Sequence, residues 1–123
     1  MPHSNFSDQL QISHEGRRLT VEGPIVLDDD TDLVSLVVSA YVTQQPAEPG
    51  AAPALGITCA GRFELAGEGD TFSEADRWSF QADALGGRFD EGWAFASAEM
   101  LNQDEDGGLE KYTWSQWVWL RRP

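Results

Sequence analysis

The chain of 123 residues is 41% hydrophobic, enough to fill one core and too apolar for a wholly disordered protein. Twenty-one Asp and Glu against eight Lys and Arg leave a formal charge of −13 at pH 7. A field of that sign repels nucleic-acid phosphates and an anionic membrane surface, so neither is an expected partner; it favours solubility or steering toward a basic protein.

Residues 1–8 read as an extended N-terminal arm and 9–123 as one domain. The opening Met1-Pro2-His3-Ser4-Asn5 has neither the basic nor the apolar region of a signal peptide, and no apolar run approaches the roughly 18 residues of a membrane helix. Synthesis and residence in a reducing cytosol are therefore expected. The single cysteine, Cys59, leaves no partner for an intramolecular disulfide.

Period-two alternation dominates the domain. Leu10-Gln11-Ile12 and Leu19-Thr20-Val21 flank Glu15-Gly16-Arg17, the pattern of a hairpin. Asp28 to Asp32 forms an acidic turn. Leu33 to Thr43 puts Val34, Leu36, Val38, Ala40 and Val42 on one face, with Leu33, Val37 and Tyr41 partly covering the other, so this strand is expected to be central. Gln44 to Ala54, with two prolines and Gly50, reads as an irregular surface loop. In Leu55 to Leu65 the residues Leu55, Ile57, Cys59, Gly61, Phe63 and Leu65 share a face, a half-buried strand that bends near Gly61. The spacing of Ser73 and Asp76 predicts one helical turn over Thr71 to Asp76. Trp78, Phe80, Ala82 and Ala84 alternate with polar residues into the turn signal Gly86-Gly87. Trp93 to Leu101 is compatible with a helix by composition and with a strand by its alternating Ala94, Ala96, Ala98 and Met100; the β context on both sides favours the strand. Asn102 to Gly108 is a second acidic turn. Lys111 to Leu120 is dense in aromatics and reads as the last strand.

About seven strands with frequent turns predict an all-β, antiparallel two-sheet sandwich. Trp78, the run Phe89-Asp90-Glu91-Gly92 opening onto Ala94, Ala96 and Ala98, and Trp114 with Val118 and Leu120 resemble small immunoglobulin-like domains common in actinobacterial proteins, over roughly half the chain. The resemblance implies an immunoglobulin-like sandwich and no activity. It departs from the family in lacking the cysteine pair often found there, so packing alone must hold the sheets together.

Catalytic chemistry finds little support. His3 and His14 are the only histidines, and no serine lies in a nucleophile elbow. His14 reads as a surface residue at a strand end, and Cys59 as a buried thiol. Two scattered histidines and one cysteine do not make a zinc site. Asn102-Gln103-Asp104-Glu105-Asp106-Gly107 matches the first half of a calcium loop, but its twelfth position is Thr113 where a bidentate acid is required. No metal, cofactor or catalytic residue is predicted.

The tryptophans remain, five in all. If Trp114, Val118 and Leu120 point inward, Trp117 and Trp119 must point outward, and Trp93 and Phe95 join them if their strand is adjacent. Such a patch marks an interface. The first expectation is a non-enzymatic structural or assembly module docking on protein, either itself as a homo-oligomer or a larger scaffold such as a virion decoration or tail component. The alternatives are an acidic inhibitor or immunity-type protein with a basic partner, and a carbohydrate-binding module using the tryptophans as a platform.

Overall fold

The computed structural model describes residues 4–26, 33–45, 57–66, 77–104 and 106–123. Seven strands run through them: β1 (Gln9–Ser13), β2 (Arg18–Pro24), β3 (Leu33–Gln44), β4 (Ile57–Ala66), β5 (Arg77–Asp83), β6 (Gly92–Asp104) and β7 (Leu109–Arg121). Their hydrogen-bonded order is β4-β3-β6-β7-β1-β2-β5. The order doubles over on itself. A Cβ placed on Gly61 of β4 would lie 2.6 Å from the ring of Phe80 on β5, although β4 and β5 stand at opposite ends of the order. Two layers result, β4-β3-β6-β7 over β1-β2-β5. This is the strand arrangement of an immunoglobulin-like sandwich, with a G-F-C-C′ sheet facing an A-B-E sheet.

The turn of the order is made by β1. It pairs antiparallel with β2 through Gln11↔Thr20 and Ile12↔Leu19, and parallel with β7 through Gln9↔Trp119, Leu10↔Leu120 and Gln11↔Arg121. The sequence predicts only antiparallel neighbours, and this one parallel pair is an addition. It joins the first strand to the last, a pairing that no local turn signal records.

Alternation decides what is buried. Leu36, Val38, Ala40 and Val42 on β3, Ala94, Ala96, Ala98 and Met100 on β6, Val118 and Leu120 on β7, and Leu19 and Val21 on β2 share one core. Trp78 of β5 is fully buried in it. Its indole lies 5.6 Å from Phe6, 6.0 Å from Phe80 and 6.2 Å from Trp114, ring centre to ring centre, so it links β5 to β7 across the layers. The short alanines of β6 complement these large rings in volume.

Ser4 to Asp8 belong to the segment expected as an arm, and they lie against the domain. Phe6 is only 2% exposed. The side-chain amide of Gln116 holds its backbone from both sides, accepting from Phe6 N–H at 3.0 Å and donating to Phe6 C=O at 3.2 Å, as a paired strand would. Trp78 Nε1–H donates to Ser4 Oγ at 2.8 Å, and that hydroxyl donates in turn to Pro24 C=O. Gln44 repeats the two-way amide clamp on Asp90, at 2.7 and 2.8 Å.

Residues 93–101 lie in a strand, β6. The β1–β2 hairpin closes through His14–Gly16, where His14, Glu15 and Gly16 take φ of 53°, 59° and 88°. The half calcium loop does not form a loop at its start: Asn102, 2% exposed, is a strand residue whose Nδ2 donates to Glu110 Oε2 at 3.4 Å. Alternation turns it inward with Met100, so it is withdrawn from any cation at the turn. The acidic turn Asp28 to Asp32, the helical turn Thr71 to Asp76 and most of the loop Gln44 to Ala54 lie outside the described residues.

Two substitutions test this core. Ser4→Ala removes the acceptor of a buried indole N–H and is expected to cost about 1–3 kcal/mol in denaturant unfolding. Gly61→Val is expected to cost about 1–3 kcal/mol by driving Cβ into the Phe80 ring. In a Phe80→Ala background that second penalty is expected to shrink by half or more; an unchanged penalty would show that the clash is elsewhere.

Candidate functional site

β6 and β7 pair in register over their whole length, from Gly92↔Leu120 to Gln103↔Leu109. Residues directly opposite share a face, so Trp93 stands beside Trp119 and Phe95 beside Trp117. Both pairs meet edge to face, with ring centres 5.2 Å apart at 86° for Trp93–Trp119 and 5.3 Å apart at 65° for Phe95–Trp117. All four point away from the core. Trp93 is 62% exposed and Trp117 63%, while Phe95 is at the edge of exposure and Trp119 is half-buried between Trp93 and Gln9. The structure thus brings together all four residues that the alternation singled out. It adds Tyr41 on β3, 50% exposed, and the exposed Leu101 and Leu109 further along β6 and β7. Those three share the odd-numbered phase of Trp93 and Trp117, which is the signal that could have found them.

The same face is electrically quiet. Over residues 35–43 of β3, 60–64 of β4, 93–103 of β6 and 109–121 of β7, alternation puts only two carboxylates outward, Glu64 and Glu99. Each is paired: Glu64 Oε1 with Arg62 Nη2 at 2.8 Å, and Glu99 Oε2 with Lys111 Nζ at 3.4 Å. A molecule of charge −13 therefore carries one face with no unpaired carboxylate among the described residues. Beside the aromatic ladder the small residues Ala60, Ser97 and Ser115 floor a shallow depression of about 640 Å³ that Tyr41 and Thr113 border.

No comparable arrangement for covalent chemistry exists among the described residues. Cys59 is buried, and burial pushes its thiol from 9.0 up to about 11, an effect that a hydrogen bond with the Val42 backbone partly offsets. The His14 ring meets Ser13 Oγ through Nδ1, at 3.1 Å. No group of three His, Cys, Asp or Glu among the described residues is placed to hold a metal ion. No helix among them is long and apolar enough to cross a membrane.

No family model and no curated protein matches the chain. Among solved structures, murine CRIg is similar at 12% identity and a TM-score of 0.43, over 100% of this chain and 98% of that one. That likeness is too slight to carry an argument, and the fold rests on the strand order itself.

The ladder and the core are distinguishable by substitution. Trp93→Ala and Trp117→Ala are each expected to cost under about 1 kcal/mol of stability, because only a cross-strand pair is lost. Trp78→Ala is expected to cost about 3–5 kcal/mol. Cys59 is expected to resist thiol reagents in the native state and to react on unfolding. Because its thiol ionises later in the folded than in the unfolded chain, stability is expected to fall as pH rises from about 9 toward 11; an alkaline melting curve checks the sign.

Proposed function

We propose that this domain is a non-enzymatic assembly module that docks on protein through the outer face of β6 and β7. The observation that carries this reading is the ladder of Trp93–Trp119 and Phe95–Trp117, with Trp93 and Trp117 exposed, on a face whose carboxylates are paired among the described residues. Large exposed aromatics cost solubility and supply the anchors of interfaces, and here two indoles are more than half exposed. Charge neutrality of the face selects the partner. It offers nothing to a basic surface beyond the general field, and it allows approach by a surface that is itself near neutral, including the same face of a second copy. A homo-oligomer or a site on a larger scaffold, of which a virion decoration or tail component is one form, meets that description.

Salt separates this reading from the acidic-inhibitor alternative. Docking through the aromatic face is expected to persist or tighten as salt rises, whereas binding to a basic partner by field alone weakens steeply. The carbohydrate alternative rests on the same indoles and predicts quenching or shift of their fluorescence by polysaccharide.

The test is multi-angle light scattering of the wild type and of Trp93→Ser/Trp117→Ser, at low and high salt, with candidate scaffolds from its native assembly supplied. Assembly by the wild type that the double variant loses, at unchanged melting temperature, is expected. A wild type that stays monomeric and binds no scaffold, or a double variant that assembles equally well, contradicts the proposal.

A further inference from the structure

At the end of the sandwich where β1 turns into β2, arginines gather. Arg17, Arg18, Arg88, Arg121 and Arg122, five of the eight basic residues, lie in the β1–β2 hairpin, the β5–β6 connection and the end of β7. Two of these segments are bolted together by backbone hydrogen bonds, Ala84 N–H to Arg17 C=O at 2.7 Å and Phe89 N–H to Gly16 C=O at 2.8 Å. The fit is close: a Cβ on Gly16 would lie 2.5 Å from Phe89 O and 3.0 Å from Arg88 Cβ, so glycine there is what lets the Arg88 backbone approach. The hairpin holds His14 and Glu15 at φ of 53° and 59°, the left-handed region that side-chain-bearing residues rarely adopt. Positive φ at successive residues is what a tight hairpin turn requires.

Between the two segments lies an open cavity of about 710 Å³, lined by His14, Glu15, Arg17, Arg18, Asp83 and Arg88. Its charges are not all spent on one another. Arg18 Nε is paired with Asp83 Oδ1 at 3.0 Å, and in the adjoining depression Arg122 is paired with Asp90. That contact with Arg122, helped by the Glu91 N–H, holds the Asp90 carboxyl below its ordinary range. Arg17 and Arg88 have no carboxylate partner among the described residues. Glu15 is the one unpaired carboxylate on the rim among those residues. Three arginines, Arg17, Arg18 and Arg88, therefore line the cavity against two carboxylates, Glu15 and Asp83, on a protein whose net charge is −13.

We propose that this cavity is an oxyanion site in which Arg17 and Arg88 bind a divalent oxyanion, such as a phosphate monoester or a dicarboxylate, from two sides. Guanidinium forks match the paired oxygens of such groups, and charge-assisted bonds of this kind are the strong ones. The site is independent of the aromatic face: none of its lining residues belongs to the ladder. Glu15 opposes the ligand, so its neutralisation strengthens the site. Arg18 and Arg122, already paired, contribute to the field and not to the grip.

The experiment is amide NMR of the full chain titrated with inorganic phosphate, and separately with succinate, at constant ionic strength held with chloride. Saturable shifts confined to residues 13–18 and 83–90 are expected with at least one of the two. Phosphate binding tighter than succinate assigns a phosphate monoester as the source, and the reverse assigns a dicarboxylate. Arg17→Ala/Arg88→Ala is expected to weaken binding about ten- to hundredfold, the loss of two charge-assisted contacts. Glu15→Gln is expected to tighten it, and Arg62→Ala to leave it unchanged. The amide spectrum itself reports whether each variant is folded. No saturable shift with either anion, equal shifts around Arg62 and Lys111, or a double variant that is folded and binds as the wild type does would overturn the site.

Discussion

No disulfide joins the two layers of this sandwich, because Cys59 is the sole cysteine and is buried alone. What immunoglobulin domains often assign to an inter-sheet disulfide is here assigned to one indole. Trp78 projects from β5 into the core, meets Trp114 of the opposite layer and Phe6 of the N-terminal segment, and finds its N–H satisfied by Ser4. Burial of a large ring supplies the energy, and the hydrogen bond fixes the ring's orientation, since a buried indole N–H without a partner is costly. Much of the local structure follows from accommodating it. Ala94, Ala96 and Ala98 keep β6 slim, Gly61 leaves room for Phe80, which stacks on Trp78, and Gln116 ties down the segment that carries Phe6.

The same alternation that fills the core also sorts the surface. On β6 and β7 even-numbered residues turn inward and odd-numbered ones outward, so the aromatics that the core cannot accept appear together on one outer face. Their in-register pairing makes them a continuous ladder and not scattered exposures. The charge pattern follows a similar division. The ladder's face pairs its described carboxylates, Glu64 and Glu99, with Arg62 and Lys111, and the end with the β1–β2 hairpin collects arginines. A strongly acidic protein thus presents one neutral, aromatic surface and one cationic cavity, each distinct from the general field.

Much of this was legible in the residues. Period two located the strands and, with the parity of Trp114, Trp117, Val118 and Trp119, sorted the indoles into inner and outer sets before any strand was paired. Trp93 and Phe95 needed only the adjacency of β6 and β7, which the acidic turn between them supplies. Other features depend on contacts far apart in sequence. The parallel pairing of β1 with β7, the clamp of Gln116 on Phe6 and that of Gln44 on Asp90 link positions that no periodicity relates. Phe6 belongs to a stretch that reads only as an extended arm, with no periodicity to mark it as core. Arg17 and Arg88 are inconspicuous as single residues, and only the junction of two turns makes them neighbours. The acidic turn expected over Asn102 to Gly108 starts later than its composition suggests, because residue type and spacing say nothing of parity: Asn102 and Asp104 belong to a strand before the turn begins.

The central claim, that the outer aromatic face of β6 and β7 is where this protein meets its partner, is tested most directly by hydroxyl-radical footprinting of the individual indoles, dilute and in the assembled state. Trp93 and Trp117 are predicted to be oxidised readily when the chain is alone and to become protected on assembly, while Trp78 stays protected throughout. Assembly that leaves Trp93 and Trp117 as reactive as before would contradict the account.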